Sequence, residues 1–299
     1  MSDIIPLQLM LARGVGDVFI RRFADFVARY GESAGDEILH SVEEMVLTFR
    51  LKSDVAESIV NVRNDAELLL RRLSDSCIGV VWLADEHYPH RLKFVLGKDA
   101  PPILFYRGNF HLCEEPTVGF CGSRAVSEKG LVITEQCVHQ LVPHGIVVVS
   151  GYAQGVDITS HRVALQRSGK TIFVLAEGLF HFHEKKEIRD FLDSDNYLIF
   201  SQFAPDTIWR GRNAMCRNSV IIGLSDAMIL VESGLDGGTY AAGNECLCRN
   251  HPLWVIDYAT PPCTAKANSE FIGRGGLPIR SKSGEPNLER ILSTVKKSN

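Results

Sequence analysis

The chain has 299 residues, of which 45% are hydrophobic and 23% charged, and its formal net charge is −4 at pH 7. These values are typical of a globular protein of about two domains, and they argue against a disordered or fibrous chain. The slightly acidic total gives no sign of nucleic-acid binding through overall charge, although it is compatible with a local basic patch.

Targeting and cofactor signals are missing from the sequence. No run approaches the ~18 apolar residues of a membrane span, and Asp3 stands where a signal peptide needs positive charge. Eight scattered cysteines indicate reduced thiols. Cys246 and Cys248 have no second close pair to complete a zinc site. We therefore expect a cytoplasmic protein that contacts no membrane and needs no metal or organic cofactor.

The first ~75 residues have the apolar spacing of helices. Two apolar sets, within "IPLQLML" and "VFIRRFADFV", flank the turn "RGVG", so we expect Asp17 to be the N-cap of the second helix and Gly31 to end it. Further helices are predicted over "SVEEMVLTFRL" and "DVAESIVNVRNDAELLLRRL". The glycine turn has two interpretations: a SAM-like or helix-hairpin-helix module that holds a DNA phosphate, or the corner of a small helical bundle.

From residue 78 onward, short β-branched runs alternate with segments of helical length. The predicted strands are "TVGFCGS", "GIVVVSG", "KTIFVLA", "NYLIFSQF", "AMILVES" and "HPLWVID", and a short helix, "NLERILSTVKK", is predicted near the end. Such alternation predicts a parallel sheet covered on both faces. The predicted fold class is α/β: a Rossmann-like, doubly wound, mostly parallel sheet over 78–299, preceded by a small all-helical N-terminal domain over 1–75.

Three of the predicted strands end in small and cationic residues. Ligands of open parallel sheets bind at the carboxyl ends of the strands, where backbone amides and arginine side chains hold anions. The candidate residues are Gly122, Ser123 and Arg124 after the first strand, Ser150, Gly151, Gly155 and Asp157 after the second, and Arg210, Arg212, Arg217, Gly237, Gly238 and Thr239 around "AMILVES". Together they predict a site for an anionic ligand of nucleotide type.

Asp157 and His161 are four residues apart, which places them on one face of the predicted helix. Two interpretations are open from spacing alone. The pair is either a catalytic dyad, or a helix cap beside a histidine whose hydrogen bonds are satisfied internally.

The order of these motifs carries a resemblance. "GSR", "SGYAQGVD" with a following histidine, "RN" before "GLSDA", and "VE" before "GGT" together resemble the DNA-processing protein A family, DprA, also called Smf. The segments "YPHRLKFVLGKDAPPILFYRGN" and "NSEFIGRGGLPI" are similar to the family's lead-in and closing segments. The resemblance thus extends over nearly the whole chain.

The resemblance implies a binding protein and not an enzyme. Members bind single-stranded DNA without sequence preference, protect it during natural transformation in competent cells, load the RecA recombinase and form homodimers through the Rossmann domain. The phosphate pocket that it implies comprises Gly122, Ser123, Arg124, Ser150, Gly151, Gly155, Asp157, Arg217, Asn218, Gly237, Gly238 and Thr239. It assigns supporting roles to His161, Arg210 and Arg212 and leaves Asp157 and His161 without a catalytic one.

Several positions depart from the family's pattern. Ser219 replaces a second arginine after "RN", Glu177 stands where a small or polar residue is common, and "EKKEIRD" replaces a tyrosine-proline turn. "GGT" replaces "SGT", and Asp257 and Tyr258 replace "PG". We expect no C-terminal winged-helix domain. These departures indicate a divergent member, for which a phage-defence role is an alternative to transformation.

A second class of function uses the same pocket. One alternative is a nucleotide-binding sensor without turnover. Another is a LOG-like phosphoribohydrolase, which uses a "GGxGTxxE" signature, whereas this chain has "GGTYAAGNE" with Glu245 displaced from the required spacing. Hydrolysis predicts a released base that is lost on Glu245→Ala, while sensing predicts saturable nucleotide binding without product.

Overall fold

The structure is a computed structural model that describes residues 3–295. Within these, one compact unit runs to Tyr88 and includes Pro101–Tyr106, and the other comprises Pro89–Ala100 and the chain from Arg107 onward. The strand that begins at Gly79 therefore groups with the helical unit. The boundary between residues 75 and 78 stays a sequence prediction.

The first unit contains helices and an antiparallel strand pair. Its elements are α1 (Ile4–Leu11), α2 (Asp17–Tyr30), α3 (Glu32–Ile38), α4 (Val42–Phe49), α5 (Ser53–Asn61), α6 (Arg63–Asp75), β1 (Gly79–Trp82) and β2 (Ile103–Gly108). α2 buries Ile20, Phe23 and Val27 at helical spacing. As predicted, α2 ends at Gly31, whose φ of 90° lies in a region that few other residues adopt.

Two details of this helical unit correct the sequence predictions. Gly16 is the N-cap of α2 and Asp17 is its first helical residue, with no side-chain cap bond. The segment predicted as one helix over "DVAESIVNVRNDAELLLRRL" is two helices, which meet at Val62. The fully buried Gln8 of α1 explains the break, because its side chain donates to the Ile59 carbonyl of α5 and accepts from Arg63, the first residue of α6. A local pattern does not reveal such a distant partner.

The second unit alternates strands and helices. The elements are α7 (His90–Leu96), β3 (Thr117–Cys121), α8 (Glu128–Leu141), β4 (Val147–Ser150), α9 (Val156–Gln166), β5 (Thr171–Val174), α10 (Lys186–Arg189), β6 (Tyr197–Ser201), α11 (Gly211–Leu224), β7 (Ala227–Leu230), α12 (Gly237–Cys248), β8 (Leu253–Ile256), α13 (Asn268–Gly273), β9 (Leu277–Ile279), β10 (Ser281–Lys282), β11 (Glu285–Pro286) and α14 (Glu289–Val295). The β4 and β7 strands are buried along their full length, as expected of a sheet with both faces covered.

The strands of this second unit pair in parallel in the order β6-β5-β4-β3-β7-β8-β9. Successive crossovers run outward from β3 to β6, and the chain then returns so that β7 pairs with the other edge of β3. Because right-handed crossovers in opposite directions place helices on opposite faces, the sheet is doubly wound. The predicted Rossmann-like fold is confirmed, and β3 marks its topological switch point.

The six predicted strands are β3 to β8. β1 and β2 of the first unit were not among the predicted strands. Also unpredicted were β9 and the β10–β11 pair, which are short and contain Pro278 and Pro286. Prolines reduce a strand signal because they cannot donate to the ladder. The final predicted helix is α14, which the structure describes to Val295, while Lys296 and Lys297 of the prediction lie outside the described residues.

Among the described residues, no helix is both long and apolar enough to cross a membrane.

Candidate functional site

A cleft of about 520 Å³ opens at the carboxyl ends of β3 and β7, on either side of the switch point. We call it the switch-point cleft. The predicted site residues that line it are Gly122, Ser123, Arg124, Asp157, Arg217, Asn218, Gly238 and Thr239. Topology accounts for this placement, because neighbouring strands whose connections run in opposite directions leave a crevice between them.

The turn after β3 presents Gly122, Ser123 and Arg124 to the cleft. The Ser123 amide donates to the Glu232 carbonyl at 2.9 Å, which ties this turn to the end of β7. The Ser123 hydroxyl oxygen accepts from the Ala125 amide. The Arg124 guanidinium stacks over the Trp209 ring at 5.6 Å and is exposed. This turn therefore offers a positioned cation that is free to contact a ligand.

The turn after β4 is fixed by buried polar groups. The Ser150 hydroxyl lies 2.8 Å from the Phe120 carbonyl oxygen and 3.1 Å from Asp157 Oδ1. Asp157 Oδ2 accepts from the Ala153 amide. Gly155 precedes α9 with a φ of 81° and packs on the Ser123 and Arg124 carbonyls. Asp157 thus rigidifies the turn as predicted, although Gly155 and not Asp157 occupies the N-cap.

His161 lies behind this turn and is fully buried. Its Nε2 is 2.7 Å from the Gly151 carbonyl oxygen and its Nδ1 is 2.5 Å from the Thr171 hydroxyl. Because a carbonyl only accepts, Nε2 carries the proton of the neutral ring. Burial lowers the pKa of His161 from 6.5 to about 3. His161 is therefore a neutral, hydrogen-bonded histidine that faces away from the cleft, which removes the catalytic-dyad interpretation.

Arg217 of α11 carries a buried charge to the floor of the cleft. The residue is only 6% exposed, and Nη1 lies 3.7 Å from Asp157 Oδ2. Its Nε is buried and has no hydrogen-bond partner among the described residues. Burial lowers the pKa of Arg217, and the neighbouring Asp157 opposes that shift. Gly151 makes room for the guanidinium, because a methyl group there would overlap Nη1.

The turn after β7 closes the other side of the cleft. The Asn218 side-chain amide donates to the Gly238 carbonyl at 3.1 Å. α12 begins at Gly237, whose φ is 84°, and its N-cap residue Asp236 makes no side-chain cap bond among the described residues. The amides of its first turn, together with Thr239, are available to an anion at the end of the helix dipole.

A second cavity, of about 250 Å³, adjoins the first and shares Arg124 and Arg217 with it. We call it the side cavity. Its other charged and aromatic lining residues are Tyr152, Glu177, Lys185 and Trp209. The Lys185 ammonium donates to the Tyr152 carbonyl at 2.6 Å and lies over the Tyr152 ring. Burial lowers the pKa of Lys185 and raises that of Glu177.

Sequence reasoning missed the side cavity. Apart from Arg124 and Arg217, its charged and aromatic residues follow β4, β5 and β6, and they lack the glycine and arginine pattern that marked the other strand ends. The available signal was Trp209, an aromatic residue directly before the basic "RGR" segment. Exposed aromatic rings among basic residues are typical of surfaces that stack nucleobases.

Arg210 and Arg212 line neither cavity. Arg210 is the N-cap of α11 and Arg212 lies in its first turn, and both are exposed. Glu245, the carboxylate considered for hydrolysis, pairs with Arg249 on α12 at 2.9 Å and also lies outside both cavities. These residues were predicted near the site because they are close to it along the chain, but none of them lines either cavity.

Glu232 has a structural role that was not predicted from the sequence. Its fully buried carboxylate accepts from the Ser127 amide and hydroxyl and from the Tyr258 and Thr264 hydroxyls. Ser127 is in turn the N-cap of α8, since its hydroxyl oxygen accepts from the Gly130 amide. Glu232 therefore connects the ends of β7 and β8 to the helix that follows the Ser123 turn.

The two cavities together suit the binding of an anionic, aromatic ligand. Arg124, Lys185 and Arg217 supply positive charge, and free helix amides and aromatic rings surround them. Among residues 3–295, no group of three histidine, cysteine or acidic side chains is arranged to hold a metal ion. Beside the carboxylates of Asp157, Glu177 and Asp236, the site is lined by donors to phosphate and by surfaces for bases.

Comparison with known proteins gives a consistent result. The family model described as DNA recombination-mediator protein A matches residues 79–283. The DNA processing protein DprA of Streptococcus pneumoniae is 32% identical over 77% of this chain and 79% of its own length. Protein Smf of Escherichia coli is 32% identical over 57% of this chain but over only 46% of its own length.

Solved structures show the same fold. The X-ray structure of the Streptococcus pneumoniae protein superposes with a TM-score of 0.74 at 25% identity, covering 95% of this chain and 96% of that one. A structure of DNA processing protein A from Helicobacter pylori, described for its unique mode of single-stranded DNA binding, superposes with a TM-score of 0.60 at 23% identity over 74% of this chain and 96% of that one.

Proposed function

Because the chain belongs to the DNA recombination-mediator protein A family, we propose that it binds single-stranded DNA along the carboxyl edge of its parallel sheet. The family is named for mediating recombination and not for a catalysed reaction. The Helicobacter pylori member binds single-stranded DNA. In the proposal, the phosphates occupy the switch-point cleft, where the amides and arginines do not read sequence.

The observation that carries this proposal is the state of Arg217. A guanidinium that is 6% exposed, with Nε unpaired among the described residues, is costly to bury. Asp157, at 3.7 Å, balances its charge without saturating its donors. A phosphate in the cleft supplies the missing acceptor, since arginine binds phosphate through parallel N–H donors.

The proposed ligand also accounts for the other cleft residues. Arg124 and the uncapped amides of α12 face the same space as Arg217, so successive phosphates of one strand have donors on both sides. Gly122, Ser123, Asn218, Gly238 and Thr239 line the same cleft. Asp157 lines the cleft beside Arg217. Behind the cleft, Ser150, Gly151, Gly155 and His161 fix the turn and Arg217, and Gly237 sets the start of α12.

We also propose partners and a cellular setting for the protein. As a recombination mediator, the protein protects single-stranded DNA and loads a RecA-type recombinase on it in the cytoplasm, in transformation or in defence against phage. It acts as a homodimer formed through the Rossmann-like unit. Light scattering then gives a mass of twice the 33.2 kDa chain, and a monomer at micromolar concentration contradicts the dimer.

The test is fluorescence anisotropy of a labelled ~30-nucleotide poly-dT strand over a salt series. Arg217→Lys keeps the charge but loses the fork, and Arg124→Ala removes an exposed cation. Each change weakens binding by roughly tenfold or more, because a hydrogen bond to a charged group contributes about 1.5–3 kcal/mol. For single strands, Arg124→Ala also reduces the salt slope by about 0.7, whereas Arg217→Lys keeps the cation and leaves the slope unchanged.

The matched control is Arg212→Ala, which removes an exposed arginine of the same helix outside both cavities. Its effect on binding is less than about twofold at moderate salt. Equal losses at Arg212 and Arg217 contradict the assignment of the cleft. If the wild type binds no strand at low salt, DNA is not the ligand, and saturable mononucleotide binding then favours the sensor alternative.

A further inference from the structure

The side cavity contains a negative charge beside a site assigned to phosphate. Glu177 lines this cavity, and its carboxylate makes no hydrogen bond or ion pair with the described residues. Only its backbone carbonyl is engaged, by the Ser201 hydroxyl. A carboxylate accepts hydrogen bonds and does not donate them at neutral pH. The side cavity thus offers an acceptor for N–H donors beside the cations Arg124, Lys185 and Arg217.

A nucleobase fits the remaining features of the side cavity. The cavity volume of about 250 Å³ exceeds that of one base, and the Trp209 ring contributes aromatic surface beside the Tyr152 ring, which the Lys185 ammonium covers. Trp209 is 51% exposed, which leaves its ring accessible from solvent. Stacking on such rings contributes about 1–3 kcal/mol for each base. Since Arg124 and Arg217 line both cavities, a base here belongs to a nucleotide whose phosphate lies in the switch-point cleft.

The chemistry of the walls selects among the bases. A carboxylate accepts two parallel hydrogen bonds most readily from adjacent donors, and guanine alone presents N1–H and an exocyclic N2–H side by side on its Watson–Crick edge. Thymine offers a single ring N–H, and adenine and cytosine offer an exocyclic amino group next to an acceptor. The ammonium of Lys185 on the same cavity complements the guanine O6 acceptor.

We propose that Glu177 gives this chain a preference for guanine at one nucleotide of the bound strand, with the base seated in the side cavity beside Tyr152 and Trp209. This inference rests on the proposed single-stranded DNA binding. Phosphate contacts in the switch-point cleft accept any strand, and the side cavity adds selectivity at one position. Partial burial raises the pKa of Glu177, and the neighbouring cations Lys185 and Arg217 oppose that shift. Because the carboxylate has no hydrogen-bond partner among the described residues, N–H donors of a base would stabilise it.

The experiment compares ~12-nucleotide strands, about the length that one binding module covers. One strand is all dT, and others carry a single central dG, dC, dA or deoxyinosine; a run of dG is avoided because it folds on itself. The wild type binds the dG strand roughly tenfold more tightly than the all-dT strand, in line with ~1–3 kcal/mol for a bidentate contact. Deoxyinosine, which lacks the N2 amino group, binds with intermediate affinity.

Glu177→Ala abolishes the dG preference, so that the dG and all-dT strands bind this variant with equal affinity. Glu177→Gln retains one acceptor and a reduced preference. The control is Glu187→Ala, an exposed carboxylate of the same segment that lines neither cavity, and it keeps the full preference. Thermal unfolding verifies that each variant is folded.

The two levels of the proposal fail differently. If the wild type binds no strand, the single-stranded DNA function falls, and the base preference falls with it. If all strands bind with the same affinity, or if the dG preference survives in Glu177→Ala, only the guanine assignment is overturned.

Discussion

The turns that follow β4 and β7 both contain glycine pairs, and the space around those glycines differs. In the turn after β4, a methyl group on Gly151 would overlap the Arg217 guanidinium, and one on Gly155 would meet the Ser123 carbonyl oxygen. In the turn after β7, a methyl group on Gly237 would have no atom of the described residues within 4 Å, and one on Gly238 would lie 4.0 Å from the Asn218 side-chain amide.

This difference separates two uses of glycine that look alike in a sequence. Other atoms of the protein occupy the space beside the glycines after β4, so these glycines serve close packing and the placement of Arg217. The glycines after β7 border open space at the start of α12, so they leave room for a ligand to approach the backbone. Substitutions in the two turns are therefore expected to separate effects on stability from effects on binding.

The largest effect is expected for Gly151→Ala. The new methyl group displaces the buried Arg217 side chain and separates it from Asp157, which combines overpacking with the loss of a buried ion pair. We expect the free energy of unfolding to fall by about 3 kcal/mol, because the displaced guanidinium can shift into the cleft and this limits the cost of overpacking. We also expect binding to poly-dT to be lost. Denaturant unfolding and anisotropy measure the two effects, and a stable variant that binds normally contradicts the packing role of this turn.

Of these two turns, the one after β4 is expected to respond to acid pH, because it contacts the buried His161. The pKa of His161 is about 3 in the folded protein and 6.5 as the ordinary value, so the unfolded chain takes up a proton first as the pH falls. The stabilisation is complete above pH 6.5 and is lost as the pH falls from 6.5 toward 3. The loss reaches roughly 3 kcal/mol near pH 4.5, from about 1.4 kcal/mol for each pKa unit.

Unfolding free energies measured from pH 7.5 to 4.5 test this linkage. His251, whose pKa burial lowers to about 4, contributes in the same direction, so the variant His161→Gln reduces the slope without removing it. If the pH dependence of the unfolding free energy is unchanged in His161→Gln, protonation of His161 does not cause the acid destabilisation.

The smallest effect on stability is expected for Gly238→Ala, in the open turn. A methyl group at 4.0 Å from the Asn218 amide is in ordinary contact, so the free energy of unfolding changes by less than about 0.5 kcal/mol. Binding to poly-dT nevertheless weakens by roughly three- to tenfold, because the methyl group occupies the space through which a phosphate reaches the backbone. Unchanged affinity places the bound strand away from α12.

The fold was largely predictable because buried parallel strands are long apolar runs with clear ends. The β3 to β8 strands follow from such runs, whereas β9 is short and contains Pro278. The glycine and arginine positions of the switch-point cleft followed from the rule that ligands bind at carboxyl strand ends. The distinction between crowded and open glycines did not, because it depends on Arg217 reaching Gly151 from another helix.

Other parts of the site depend on contacts between distant segments. Tyr152, Glu177, Lys185 and Trp209 follow three different strands, and only the order of those strands in the sheet brings them together. Arg210 and Arg212 show the reverse case. Arg210 is the N-cap and precedes the first turn of α11, and Arg212 lies on another face of α11 from Arg217, so neither lines the cleft. Sequence spacing thus located the strand ends better than the side chains around them.

The position of Trp209 gives the protein a built-in optical reporter. Of the three tryptophans, Trp82 and Trp254 are each 2% exposed, while Trp209 is 51% exposed at the mouth of the side cavity. The red-edge emission of the native chain therefore comes mainly from one indole, and that indole stands where a base is expected to stack. Occupancy of the site is thus readable as quenching in unlabelled protein, with the two buried indoles as an internal reference.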